Sequence, residues 1–402
     1  MITTETRELA QYPETGPACY RERFDRTVAK VGPALAREYV IQAQVGDPPA
    51  DVAVQELQPR GVTEINRLIR AGMDRDKETL KEAPRSLIDL FEEVNEPPDW
   101  WDPKVAQAGI RAFHAHSDLF IPALFVSTVQ NASTLIAKSF HATGRVNSQF
   151  GPRRIRQNTR HFIEIMMPGG LDREGEGWRL SVRIRLVHAQ IRRLILDYGE
   201  WDEATFGAPI HAAHLGVAAA NFSAGMLRHA TALGASLSAE AREGFMHAWR
   251  YASLLTGIPE RLLFEGNEEK TRELWRTARA IEPPPGEESL VIATALFDAL
   301  PRIAGKREGK EFDQVRTHAA RVTRALIGRK TADRLELARG MPGAMAAMRT
   351  RRKLTGQLHK VAPTVAAAWR ASAFSFLLDA ALLDDLKYTL PDKLKATEAT
   401  PW

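Results

Sequence analysis

Apolar residues recur at three- and four-residue spacing in segment after segment of this chain, and alternating strand patterns are nearly absent. That periodicity admits an all-α fold and little else. It predicts helices over residues 85–95, 104–116, 118–141, 152–167, 178–198 and 209–233. A further set falls at 238–256, 267–280, 288–299, 310–328 and 331–349, with a last apolar stretch over 362–388. Breaks between them carry turn residues: Glu96-Pro97-Pro98-Asp99, Met167-Pro168-Gly169-Gly170 and Pro283-Pro284-Pro285-Gly286. Asp118 is the expected N-cap of the 118–141 helix and Gly144 its stop. Three segments follow: an N-terminal arm over 1–80, a core over 81–286, and a C-terminal helical extension over 287–402 packed on that core as one domain.

Composition removes several function classes. A single cysteine, Cys19, rules out an intrachain disulfide, a thiolate zinc site and an iron–sulfur cluster built by this chain. The net charge of +5 over 402 residues is a mild excess, which makes no case for a nucleic-acid partner. A basic run at Arg349, Arg351, Arg352 and Lys353 reads as a solvated face or an anionic-surface contact. No stretch reaches the roughly eighteen uncharged apolar residues of a transmembrane segment. The opening MITTETRELAQYPETG lacks an export pattern, so the chain as given is expected to be cytoplasmic, or secreted if such a signal was trimmed. P-loop, nucleophile-elbow and dinucleotide fingerprints are absent.

The chemistry concentrates in SVRIRLVHAQIRRLILDY. Ile184, His188, Ile191 and Ile195 form one apolar helical stripe, with Arg185 and Arg192 flanking the histidine. A neutral imidazole in a dry groove can ligate haem iron, and guanidinium groups can pair with haem propionates. The other reading is a core histidine bonded to a backbone carbonyl, with the two arginines solvated or salt-bridged. In GPRRIRQNTRHFIEIMM, Arg156 and Thr159 share a face with Ile163, and with Asn158 they could meet a bound diatomic or oxyanion; the alternative is a capping-rich helix start. His211 and His214 have the i, i+3 spacing of a metal pair, without the repeated Glu-x-x-His sets of a di-iron bundle. Glu243 and His247 are spaced as a simple pair, and His114, His116, His141 and His161 are further acid–base candidates.

Several ordered segments carry a resemblance: PPDWWDPKVAQAG, FHATGRV, the arginine-rich helix up to Thr159, RIRLVHAQIR, GAPIHAAHLGVAAANFS and MHAWRYASLLTGIPERLL. Across roughly residues 90–280 the chain resembles the latex clearing protein family, the haem-b rubber oxygenases. It also resembles the wider domain family shared with a fungal oxygenase that cleaves a farnesyl side chain. The resemblance implies a globin-like helical core with extra N- and C-terminal helices. It puts the proximal haem ligand at His188, with Arg185 and Arg192 as the flanking arginines of its most diagnostic element. It further implies one non-covalent haem b, with O2 as cosubstrate.

The distal side departs from that family's pattern. Asn158 stands where rubber oxygenases have a lysine, and Ile155 where they have an arginine, with Arg154 and Arg156 straddling it. LIAKSFHATG offers no acid for the family's glutamate base, and PIHA replaces P-I-N-Q. The function implied is a haem-dependent, dioxygenase-like oxygenase acting on a hydrophobic, isoprenoid-type alkene, with Arg156, Asn158 and Thr159 polarising oxygen. Its rivals are a non-catalytic haem protein for gas or haem sensing and storage, a haem peroxidase, and a scaffold that has lost the cofactor.

Overall fold

Helix follows helix because each apolar stripe needs a partner to bury it. The computed structural model describes residues 11–144, 151–340 and 390–395, and among these there is no strand. The arm supplies α1 (Phe24–Val31), α2 (Pro33–Gln42), α3 (Pro48–Leu57) and α4 (Val62–Asp74). The core continues with α5 (Arg85–Asn95), α6 (Pro103–Ala115), α7 (Ser117–Asn131), α8 (Ile136–Thr143), α9 (Gly151–Ile165) and α10 (Glu176–Tyr198). Then come α11 (Ala212–Ala220), a π turn at Asn221–Gly225, α12 (Met226–Leu233), α13 (Ala239–Leu255) and α14 (Glu268–Ile281). The described part of the extension begins with α15 (Glu287–Ile303) and α16 (Lys310–Ile327). The run at 349–353 and the stretch over 362–388 lie outside the described residues, as does 341–349 of the helix expected over 331–349. In the described part of that span, 331–340, the helix Arg329–Arg334 covers the first four residues.

One apolar cluster runs from Ala50 and Leu68 in the arm, through Phe120, Phe162 and Trp178, to Leu326 in the extension. Its centre is aromatic: Phe113, Phe120, Phe162 and Phe245 are each no more than 1% exposed. Edge-on and tilted ring contacts join them, among them Phe113–Phe162 at 5.0 Å and Phe120–Phe245 at 5.1 Å. Helices α6 and α13 cross so closely that a Cβ on Gly109 would lie 2.1 Å from the Phe245 nitrogen. The tryptophan pair of PPDWWDP braces this crossing from outside, with Trp101 stacked on His247 at 5.0 Å. Asp102 then caps α6, accepting from Lys104 N at 2.8 Å, and its own N–H donates to His247 Nε2 at 3.0 Å. Thus His247 is tied to this cap.

The helix expected over 118–141 is two helices, α7 and α8, bent by 89°. At the break Ser133 Oγ donates to Gln130 O at 2.6 Å and Thr134 Oγ1 to Asn131 O at 2.7 Å. These hydroxyls satisfy carbonyls that continued helix would have used. No single described helix is long and apolar enough to cross a membrane; the bent pair passes only as a pair. The N-cap of α7 is His116, with Asp118 in the first turn, while Gly144 ends α8 in the left-handed region as expected (φ 60°).

Candidate functional site: a cavity faced by His188

The stripe on α10 opens onto a cavity of about 200 Å³. Ile184, Val187, His188 and Ile191 form one wall. Phe162, Phe222 and Trp249 form another, with Trp249 stacked between the other two rings at 5.9 and 6.0 Å. Small side chains at Ala218, Ala219 and Ala252 leave the space open. Phe222 belongs to the π turn, a local widening that pushes this ring out of strict helical register.

Apolar surface dominates the lining, with polar groups set into it. From α9 they are Gln157, Asn158 and His161; Arg156 and Thr159, on another side of that helix, are not among the lining residues. The inward face of α9 is therefore 157, 158, 161 and 162, roughly 160° around the helix from the face shared by Arg156, Thr159 and Ile163. Of the four acid–base candidates, only His161 reaches the cavity. His114 Nε2 is instead 2.8 Å from Met166 O.

His161 Nε2 lies 2.9 Å from Ser181 Oγ, whose own proton goes to Gly177 O at 2.7 Å. The hydroxyl must therefore accept, which assigns the proton to Nε2 and leaves Nδ1 the lone pair. Burial depresses its pKa to about 4, so the ring is neutral at neutral pH.

Arg185 and Arg192 do not line the cavity. Both are committed to the arm. Arg185 Nε and Nη2 donate to the two carboxylate oxygens of Asp47 at 2.6 and 2.9 Å, and Nη1 to Glu93 at 3.0 Å. Burial opposes the Arg185 charge, yet these carboxylates outweigh it and its pKa lies above the ordinary value. Arg192 pairs with Asp51 and donates to the carbonyls of Pro209 and Ile210, each at 3.0 Å. The expected propionate partners are thus the struts that hold α10 against α3. Gly257, from TGIP, closes over one of them: a Cβ there (φ +83°) would lie 2.0 Å from Asp47 Oδ2.

The spacing reading of His211 and His214 as a metal pair gives way to a hydrogen-bonded network. His211 caps α11 by accepting the His214 N–H on Nδ1 at 3.0 Å, and its ring stacks on His214 at 3.6 Å. His214 lines the cavity, and its Nε2 lies 3.1 Å from Glu282 Oε1. Glu282, missed in the sequence, also accepts from Tyr39 Oη and, on Oε2, from Leu135 N at 2.7 Å. Among the described residues no group of three or more His, Cys, Asp or Glu could hold a metal ion. The donor set instead fits a metal brought in with its own ring of nitrogens, needing one imidazole in an apolar groove.

Buried neutral histidines predict acid sensitivity. His229, fully buried and 2.8 Å from Gln130 Oε1, has its pKa pushed to about 3 by burial, and that of His211 falls well below the usual value for the same reason. The unfolded chain binds protons at these sites near pH 6.5, whereas the folded chain does not until far lower pH. Stability from these sites is therefore full above about pH 6.5 and declines as pH falls toward the folded values. The slope per fully titrating group is about 1.4 kcal/mol per pH unit. Urea midpoints should drop between pH 7 and 5, and His229→Gln should flatten that drop.

Residues 111–366 match the family model described as "ER-bound oxygenase mpaB/B'/Rubber oxygenase, catalytic domain". The rubber oxygenase of Streptomyces sp. (strain K30) is 23% identical over 244 residues, which is 58% of this chain and 57% of that protein. The chain therefore aligns with little more than half of that relative. In fold, the chain resembles the solved structure of a latex clearing protein in the closed state, with TM-score 0.63 and 17% identity, covering 90% of this chain and 94% of that one. With more than half its length matched, this chain belongs to the mpaB/rubber oxygenase catalytic-domain family.

Proposed function

We propose that the protein is a haem-b-dependent oxygenase that uses O2 to cleave a carbon–carbon double bond in a hydrophobic, isoprenoid-type substrate. The observation that carries this reading is His188: one imidazole on an apolar cavity wall, in a chain of an oxygenase family. Haem held there would supply an iron centre able to activate O2. The chain's own residues supply the surroundings. His188 would hold the haem iron through a ring nitrogen, and Ile184, Val187 and Ile191 keep water from its side of the cavity. Asn158 and Gln157, facing inward from α9, have amide N–H groups to donate to negative charge developing on oxygen. The aromatic wall of Phe162, Trp249 and Phe222 suits an alkene chain.

The test is turnover. Reduced protein given oxygen and isoprenoid oligomers should yield carbonyl products. A stable oxygen complex with no product from any alkene would instead favour a haem protein that senses or stores. Filling the cavity gives a second check. Ala218→Phe should reduce haem uptake at least about tenfold with unchanged far-UV circular dichroism, because the added ring competes for the space.

A further inference from the structure

Two imidazoles other than His188 line the cavity, and they are held differently. His161 is tethered to a serine hydroxyl, which cannot neutralise a charged ring. His214 is backed by a carboxylate. The Glu282 side chain is only 2% exposed, and among the described residues His214 is its one cation-capable partner; no Lys or Arg pairs with it. A buried carboxylate without a counter-charge is costly. Among the described residues, the ring placed to take up a positive charge beside it is that of His214.

The donors around Glu282 decide where the proton sits. Tyr39 Oη, Leu135 N and His214 Nε2 all converge on its two oxygens. Burial, then the nearby Glu282 charge, pushes the Tyr39 pKa well above its ordinary value, so Tyr39 stays a donor. Tyr39 Oη and Leu135 N already donate to these oxygens, so the contact with His214 suits an Nε2–H donor, with Nδ1 as the lone pair of a cavity-lining ring. His211 stacks on His214 and stays neutral, its pKa depressed by burial and by the charges of His214 and Arg192. Its Nε2 lies 3.3 Å from Tyr20 Oη, whose pKa is raised by burial and by Glu282, with Cys19 beside it. Only His214 in this network faces the cavity with a counter-ion behind it.

We propose that His214 is the acid–base residue of this cavity and Glu282 its positioning carboxylate. A C–H or O–H of the bound substrate passes its proton to Nδ1, and the bonding electron pair stays on the substrate. The imidazolium so formed is neutralised by Glu282 through Nε2–H. Return of the same proton to a negatively charged oxygen of the product restores the neutral ring. This rests on reading the cavity as the oxygenase site, and it assigns an acid–base group where LIAKSFHATG has no acid.

Two measurements separate the proposal from that reading. In protein labelled with 15N-histidine, long-range proton–nitrogen correlation should show His214, identified by signal loss in His214→Asn, protonated at Nε2. An Nδ1–H tautomer would overturn the proposal, whether or not the protein turns over any alkene. With squalene as probe, His214→Asn and Glu282→Gln should each lower kcat about 100-fold with KM within about twofold and the Soret absorbance of bound haem unchanged. If kcat changes less than about twofold in either variant, or if the Soret band is lost with His188 intact, the assignment fails. Should wild type itself yield no product, the oxygenase reading falls and the tautomer alone decides the acid–base assignment.

Discussion

Replacing Asp47 with alanine is expected to destabilise the protein by about 3–5 kcal/mol, read from urea unfolding. Asp47 and Arg185 are each about 4% exposed in their side chains and joined by two hydrogen bonds. Removing the aspartate leaves a guanidinium deep in the interior with only Glu93, itself half exposed, as an acidic partner. The cost comes from that stranded charge rather than from loss of a favourable pair. Asp47→Ala combined with Arg185→Met should therefore cost less than Asp47→Ala alone. If the double variant is the less stable, the pair contributes net attraction and this explanation is wrong. Asp47→Asn, which keeps one acceptor, should fall between wild type and Asp47→Ala.

The second large effect is on haem. If His188 is the haem ligand, as proposed, His188→Ala should lower haem affinity more than about 100-fold, because the substitution would remove the ligand itself, whereas loss of a supporting residue usually costs 10–100-fold. The ring already borders a cavity, so its removal takes away little packing, and helicity and unfolding midpoint should stay near wild type. Arg185→Met, one turn away, reports something else: the Arg185 side chain pairs with Asp47 and does not line the cavity, so that variant should affect stability first and the haem spectrum second.

How much of this was legible in the sequence depended on whether the interaction was local. The stripe Ile184–His188–Ile191–Ile195 needed only helical spacing; the first three line the cavity, and Ile195 packs in a separate cluster with Val187 and Leu394. The all-α fold followed from the same periodicity. Spacing failed where a helix is apolar on more than one side. In α9, Ile163 and Phe162 are both 1% exposed, so the pattern did not say which side met the cavity, and it fell on Gln157 and His161 rather than on Arg156 and Thr159. Spacing also failed where partners are remote in the chain. Arg185 finds Asp47 138 residues away, and His214 finds Glu282 68 residues away. Two arginines beside a histidine were equally consistent with propionates or with carboxylates of the arm, and only the docking of α3 distinguished them. The α7–α8 bend came from Ser133 and Thr134, whose hydroxyls compete for backbone carbonyls inside an otherwise apolar run.

Titrating haemin into the cofactor-free protein, followed by absorbance in the Soret region, bears most directly on the role of His188. Wild type should saturate at one haemin per chain with a sharp Soret band, and His188→Ala should not saturate over the same range. Equal binding and identical spectra for the two proteins would contradict the account.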